Sequence, residues 1–356
     1  MAPGHAALAE DNLDTVARLL GENGYFRRSA SAFRAGGSHK EWLHFAIHAP
    51  GLDLLANFSI VDDIRPGVSP GTEIPRLTCL VRERSWDGDI EQFSPAEVRM
   101  KRGHLAVAFG ENSVSFEGGE IVLKAKLRKR PLEIDLRLKP LVIPTPAFNL
   151  EVDDCPPIHW LVVPRLTARG TVRVGNTVHE LRDASAYHDH NWGHFRWGKN
   201  FAWEWGYGTP EESDNPWTMV FVRLTNRRHT SDLMQAIFLW NGSRQTRLFR
   251  EGELRVRREG ALRCASPFKL PRVMGLVSPG GATGVPERLL VEGQGDGDHV
   301  ELEFRCEDVA QVIIPNGADL GVTIINEVSG RLELMGRVRG EPVRISGPSI
   351  FEFLSE

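Results

Sequence analysis

Cysteine is scarce in this 356-residue chain: Cys79, Cys155, Cys264 and Cys306 lie far apart and form no CxxC pair. That spacing argues against a disulfide framework and a zinc–thiolate site. Long apolar runs are missing too. No stretch approaches the roughly 18 apolar residues of a membrane span, so no stable membrane insertion is expected. The N-terminal MAPGHAALAEDNLDTVARLL lacks a basic start and an apolar segment, so it reads as no secretory signal, and a cytoplasmic setting is expected. No continuous basic stripe accompanies the formal net charge of −4, which speaks against nucleic acid as a partner. The local basic runs Leu127 to Arg130 and Arg255 to Glu259 read as solvated strand ends. Low-complexity sequence and internal repeats are absent. Oligomeric state is not legible.

Helical periodicity is also rare. One short amphipathic helix is expected from about Asn12 to Gly21, with Leu13, Val16, Ala17 and Leu20 on one face. Elsewhere, short runs rich in Val, Ile, Leu, Phe and Thr are broken by Gly, Pro, Asn and Asp. Ile134, Leu136 and Leu138 share one strand face, as do Val300, Leu302, Phe304 and Cys306. Turn signals stand at Asn241-Gly242, at Asn316-Gly317 and in the Gly-rich stretch from Ser278. The expectation is an all-β chain with too many antiparallel strands for one small sandwich, hence two tandem β-sandwich or barrel domains. Boundaries are expected at 1–36 for an extension carrying the helix, 37–195 for the first domain and 196–356 for the second.

What the chain has in abundance sits in one place. Tyr187 to Gly208 reads YHDHNWGHFRWGKNFAWEWGYG. Counting Trp217 just beyond, five of the nine tryptophans fall here, with three histidines and Asp189. On a strand, Tyr187, Asp189 and Asn191 face one way, and His188, His190 and Trp192 the other. On the next strand Trp203 and Trp205 share a face and Glu204 takes the opposite one. Such indoles can be core packing, or an apolar wall that binds hydrophobic ligands and stabilises cations. A carboxylic acid in apolar surroundings has a raised pKa and can act as an acid near neutrality, which makes Asp189 the candidate proton donor. Two further neighbourhoods repeat the theme. Trp42, His44 and His48 share a face in HKEWLHFAIH, and PPIHWLVVPRL supplies His159 and Trp160. Together they suggest one pocket assembled from distant segments.

These motifs in order resemble the hydroxyneurosporene synthase (carotenoid 1,2-hydratase) superfamily: Glu41-Trp42, His159-Trp160, the PRLTARGTVRVGN strand pair, YHDHNWG, then Trp203-Glu204-Trp205. That group is similar to the lipocalin-like Diels–Alderases of polyketide pathways. The resemblance implies two lipocalin-like β-domains, with Asp189 as the acid, Tyr187 beside it, and His159 and Trp160 assisting. EWLHF departs from the EWWY of many relatives, which implies a differently shaped pocket.

The site expected is therefore catalytic Asp189, Tyr187, His159 and His188, with Trp42, His44, Trp160, His190, Asn191, Trp192, Trp203 and Trp205 binding a hydrophobic small-molecule substrate. No cofactor and no metal are expected, although His188, His190 and His194 could form an open metal site. Three activities remain open: a hydratase, dehydratase or cyclase on an isoprenoid or polyene; a pericyclase on a polyketide polyene; or a carrier of a hydrophobic ligand.

Overall fold

The structure, a computed structural model, describes residues 10–27, 39–62, 73–152, 155–194, 201–212, 214–277, 280–315 and 322–355. The chain divides into two units, one ending at Arg196 and the other running from Trp197 to Glu356. Both are antiparallel β-structures. Asn316-Gly317 and the start of the Ser278 stretch lie outside the described residues. No described helix is long and apolar enough to cross a membrane.

The first unit opens with helix α1, Glu10–Asn23. Its Val16 and Leu20 are buried and Leu13 packs beside them, but Ala17 is exposed, so the apolar stripe is one residue narrower than expected. Twelve strands follow: β1 His39–Ala49, β2 Leu52–Asp62, β3 Glu73–Arg82, β4 Trp86–Gln92, β5 Val98–Met100, β6 Ala106–Phe109, β7 Asn112–Glu117, β8 Glu120–Lys126, β9 Leu132–Pro140, β10 Thr145–Val152, β11 Cys155–Val174 and β12 Thr177–His194. They order as β4-β3-β2-β1-β12-β11-β9-β8-β7-β6-β5, with β10 beside β11. β9 alternates inward and outward as expected, burying Ile134, Leu136 and Leu138. The sheet curls on itself. Phe58 of β2 and Phe109 of β6, far apart in strand order, bring their rings to 5.4 Å across the core.

The second unit holds β13 Ala202–Gly208, β14 Trp217–Thr225, β15 Asp232–Asn241, β16 Arg244–Arg250, β17 Leu254–Glu259, β18 Phe268–Leu270, β19 Arg288–Gly295, β20 Asp298–Pro315, β21 Val322–Val338 and β22 Glu341–Ser355, with a short helix α2, Met274–Val277. Their order is β16-β15-β14-β13-β22-β21-β20-β19-β17, and β18 runs parallel to β20. Gly242 takes a positive φ of 63° in the tight β15–β16 turn, as the Asn241-Gly242 signal demands. Val300, Leu302, Phe304 and Cys306 all point into the core of this unit. Curling is again visible: Arg247 of β16 reaches Asp298 of β20 at 3.1 Å. One basic run behaves differently from its sequence reading. Arg258 on β17 turns onto buried Glu204 at 3.2 Å instead of lying in solvent.

Candidate active site

The centre of the first sheet is β12, flanked by β1 and β11. Register places Trp42 opposite Asn191 and His44 opposite Asp189 on one side, and Trp160 opposite Asn191 and Val162 opposite Asp189 on the other. Side chains alternate, so each of these strands sends one set into the core and the other to the opposite face.

On the face away from the core sits Asp189, only 4% exposed. Its Oδ2 accepts the Trp160 indole N–H at 3.0 Å and the Tyr187 hydroxyl at 2.8 Å, and its Oδ1 accepts the Asn191 amide at 2.9 Å. All three donors are neutral. Burial disfavours the charged carboxylate, whereas three donors favour it, so desolvation does not act on Asp189 alone as the sequence suggested. Trp160 and Asn191 can only donate through these N–H groups. Tyr187 can both donate and accept, so its bond to Asp189 is the one able to reverse.

His44 lies across the strand pair from Asp189, with Cβ atoms about 5 Å apart for such neighbours. It is enclosed, and burial pushes its pKa down to about 4, so it is a neutral imidazole at pH 7. The face therefore combines a hydrogen-bonded carboxyl group, a phenol, a neutral imidazole and the indoles of Trp42 and Trp160.

The opposite, core-facing side holds a different constellation. Glu41 is fully buried. Its Oε2 accepts the backbone N–H of Arg27 at 2.8 Å and the His39 Nε2–H at 3.1 Å, while its Oε1 bonds His190 Nε2 at 2.9 Å. Burial works to raise the Glu41 pKa, but the hydrogen bonds and charges of His190 and His39 prevail and hold it at about 2. Burial also keeps His190 below the ordinary histidine range, against the pull of Glu41. His190 Nδ1–H donates to the carbonyl of Asn23, the last residue of α1, at 2.7 Å, so any second proton lies in the bond to Glu41. The Arg27 guanidinium stacks over Trp192 at 3.6 Å. Neither Glu41 nor Arg27 stood among the expected site residues.

Four expected residues fall on this core side and away from Asp189. His188 stacks on Phe45 at 4.2 Å and donates Nδ1–H to the carbonyl of His44; burial pushes its pKa down to about 3. His190 is held by Glu41. Trp192 belongs to the core, and half-buried His159 stacks on it at 5.2 Å. The physical reason is the pleat. Adjacent residues on a strand cannot share a face, so Trp160 reaches Asp189 and His159 does not. Among the described residues, no three His, Cys, Asp or Glu side chains gather as a metal site.

Trp203 and Trp205 lie on β13 of the second unit. They face away from its core, and Trp203 donates its indole N–H to Glu352. Glu204 faces inward, bridged by Arg223 at 3.1 Å and Arg258.

No family model and no curated protein matches the chain. Solved structures do. Kievitone hydratase from Nectria haematococca aligns over 100% of this chain and 98% of its own, with TM-score 0.59 and 10% identity. CghA, solved with Sch210972, aligns over 90% and 88%, with TM-score 0.58 and 12% identity. An AttH protein of Nitrosomonas europaea aligns over 89% and 92%, with TM-score 0.56 and 12% identity. The chain thus has the all-β, two-domain lipocalin-like fold of these three proteins.

Proposed function

We propose that the chain is a cofactor-free hydratase or dehydratase acting on an apolar isoprenoid or polyene, with Asp189 as the proton donor. The observation that carries this reading is the convergence of Trp160, Tyr187 and Asn191 on one buried carboxyl group, opposite a neutral imidazole. Peptide hydrolysis or phosphoryl transfer would call for a nucleophile–base pair or a cationic cradle, and the hydrogen-bond partners that Asp189 has among the described residues, Trp160, Tyr187 and Asn191, form neither. A similar fold in kievitone hydratase adds support, since that protein's name states a hydration.

Asp189 delivers its proton to one carbon of a C=C bond, either directly or through the reversing Tyr187 hydroxyl. The cation formed at the other carbon rests against the π-faces of Trp42 and Trp160. Water adds to it, and the resulting oxonium passes its extra proton to His44. A weakly basic imidazole is enough, because a protonated alcohol is a far stronger acid than an imidazolium. That proton returns to Asp189 to close the cycle. In reverse, the same groups remove water.

The test is turnover of a prenyl-bearing panel in D2O, with deuterium at carbon as the readout. Asp189→Asn keeps the shape and removes the transferable proton, so the rate should fall by roughly 10²–10⁴-fold while the protein stays folded. A near-normal rate in Asp189→Asn, without deuterium at carbon, would replace this reading with a pericyclase acting by shape. Ligand binding with no turnover of any kind would leave a carrier.

A further inference from the structure

Two histidines close the strand pair at the centre of the first sheet. His39 is the first residue of β1, His194 the last of β12, and the register sets them opposite each other. His39 is only 3% exposed, and its Nε2–H donates to the Glu41 carboxylate at 3.1 Å. That bond fixes the tautomer. In the neutral ring Nδ1 then carries a lone pair, and this nitrogen is buried with no hydrogen-bond partner among the described residues. Nε2 of His194, across the pair, is buried and unpartnered in the same way. One such nitrogen is a local cost; two on facing rings call for a shared occupant. The ring spacing says of what kind. An imidazole binds zinc through nitrogen at about 2.0–2.1 Å, which sets the ion about 3.2 Å from the ring centre, and a tetrahedral angle then holds two such centres about 5.2 Å apart. His39 and His194 stand 5.2 Å apart by ring centroid, with their planes crossed at 60° instead of stacked. The bond to Glu41 completes the pattern. A metal-bound histidine commonly gives its other N–H to a carboxylate, which orients the ring and raises its basicity.

The geometry points to a two-histidine site for a divalent transition ion of borderline softness, Zn2+ being the simplest case, ligated by His39 Nδ1 and His194 Nε2. Imidazole pairs suit such ions, whereas Mg2+ and Ca2+ ask for oxygen ligands. Among the described residues no third His, Cys, Asp or Glu joins the pair, so water or a small ligand's donor atom takes the other two positions. His159 and Lys40 act on His194 through their charge; Lys40 opposes a cation there and Glu41 favours it. Two protein ligands hold an ion exchangeably, unlike a closed four-ligand structural centre. When bound, the ion ties the start of β1 to the end of β12. The site does not rest on the reading of Asp189, which lies on the other face of the sheet and whose chemistry uses no metal.

The experiment uses the untagged full chain, stripped with a chelator and titrated with Zn2+ alone. Calorimetry should show a single saturable site per chain. With free Zn2+ at about 100 times its Kd, urea titration should show the folding equilibrium shifted about 100-fold toward the native state. Co2+ in place of Zn2+ should give the intense visible bands of a four-coordinate centre, not the faint ones of an octahedral aqua ion. His194 is half-buried, so His194→Ala should fold. It should lose the Co2+ bands and weaken Zn2+ binding at least about 100-fold, since even an outer-shell partner is worth about 10–100-fold. His179→Ala, which removes a surface histidine beside Glu83, should change neither reading. No saturable Zn2+ binding overturns the inference and leaves a bridging water between the two rings. Binding that is unchanged in His194→Ala, or lost in His179→Ala, shows an adventitious surface ion only and overturns it as well. Should His194→Ala not fold, the wild-type Co2+ spectrum decides, and octahedral bands alone count against the site. Asp189→Asn should bind Zn2+ as the wild type does, so this site and the hydratase reading can fail separately.

Discussion

Glu41 and Asp189 are both buried carboxyl groups on neighbouring strands of one sheet, yet they face opposite sides and live in opposite chemistries. Glu41 is surrounded by groups that compensate its charge: His190, His39 and the backbone of Arg27. Its proton is gone at any ordinary pH, and its bonds tie β1 to β12 and to the segment after α1. Asp189 is surrounded by neutral donors, one of them a reversible phenol. A compensated carboxylate makes a good anchor and a poor acid. A carboxyl group that neutral hydrogen-bond donors such as Trp160, Tyr187 and Asn191 hold keeps the option of carrying a proton. The pleat achieves both within two consecutive residues, since His190 serves the anchor on the core side and Asp189 the opposite face.

The largest effect should separate the two by stability. Glu41→Gln leaves His190 and His39 without their anion, and breaking a buried pair costs about 3–5 kcal/mol. Urea unfolding should show that loss, whereas Asp189→Asn should remain within about 1–2 kcal/mol of wild type. Equal losses for the two variants would dissolve the distinction. The same anchor sets an acid limit. The folded-state pKa of Glu41 lies at about 2 against an ordinary 4.5, so its contribution is present above 4.5 and is lost as pH falls from there toward 2. The shift corresponds to about 3 kcal/mol. A pH series of unfolding midpoints should drop steeply over that window in wild type and less so in Glu41→Gln.

Much of this was legible in the chain because period two is a strong rule. It separates Tyr187, Asp189 and Asn191 from His188, His190 and Trp192, and puts Trp42 with His44, as the strands do. The same rule turns His159 to the side of β11 opposite Trp160, so the two do not meet Asp189 together. What no local pattern carries is pairing across distance. Glu41 meets His190 only because β1 lies beside β12, 149 residues later. Arg27 arrives from the end of a helix, and Arg258 leaves its basic run to reach Glu204 from another strand. His39 and His194 are each one histidine at a strand end, and only the β1–β12 register makes them a pair.

A smaller effect should follow from Trp160→Phe. It removes one donor from Oδ2 while Tyr187 still serves that atom, a loss of about 0.5–1.5 kcal/mol, and the smaller ring gives up indole packing besides. Turnover should fall through misorientation of the carboxyl group, with both kcat and KM changed because an indole wall is lost as well. Unaltered kinetics would mean that the indole does not position the acid.

The smallest change in stability should come from Tyr187→Phe, and it sharpens the comparison most. Only a hydroxyl is removed, Trp160 still donates to the same oxygen, and the cost should stay near 0.5–1.5 kcal/mol. If the phenol merely orients Asp189, the kcat loss should match that of Trp160→Phe and the solvent deuterium isotope effect should remain as in wild type. The reversible bond argues otherwise. Trp160 N–H cannot take a proton from Asp189 and hand on another, whereas the phenol can do both in one concerted shift. Tyr187→Phe should therefore lower kcat more than Trp160→Phe does, despite its smaller structural footprint, with KM nearly unchanged. The isotope effect should change as well, because a two-proton transfer becomes a one-proton transfer. A kcat loss smaller than that of Trp160→Phe, with the isotope effect intact, would make Asp189 the direct donor and reduce Tyr187 to one of three equivalent hydrogen bonds.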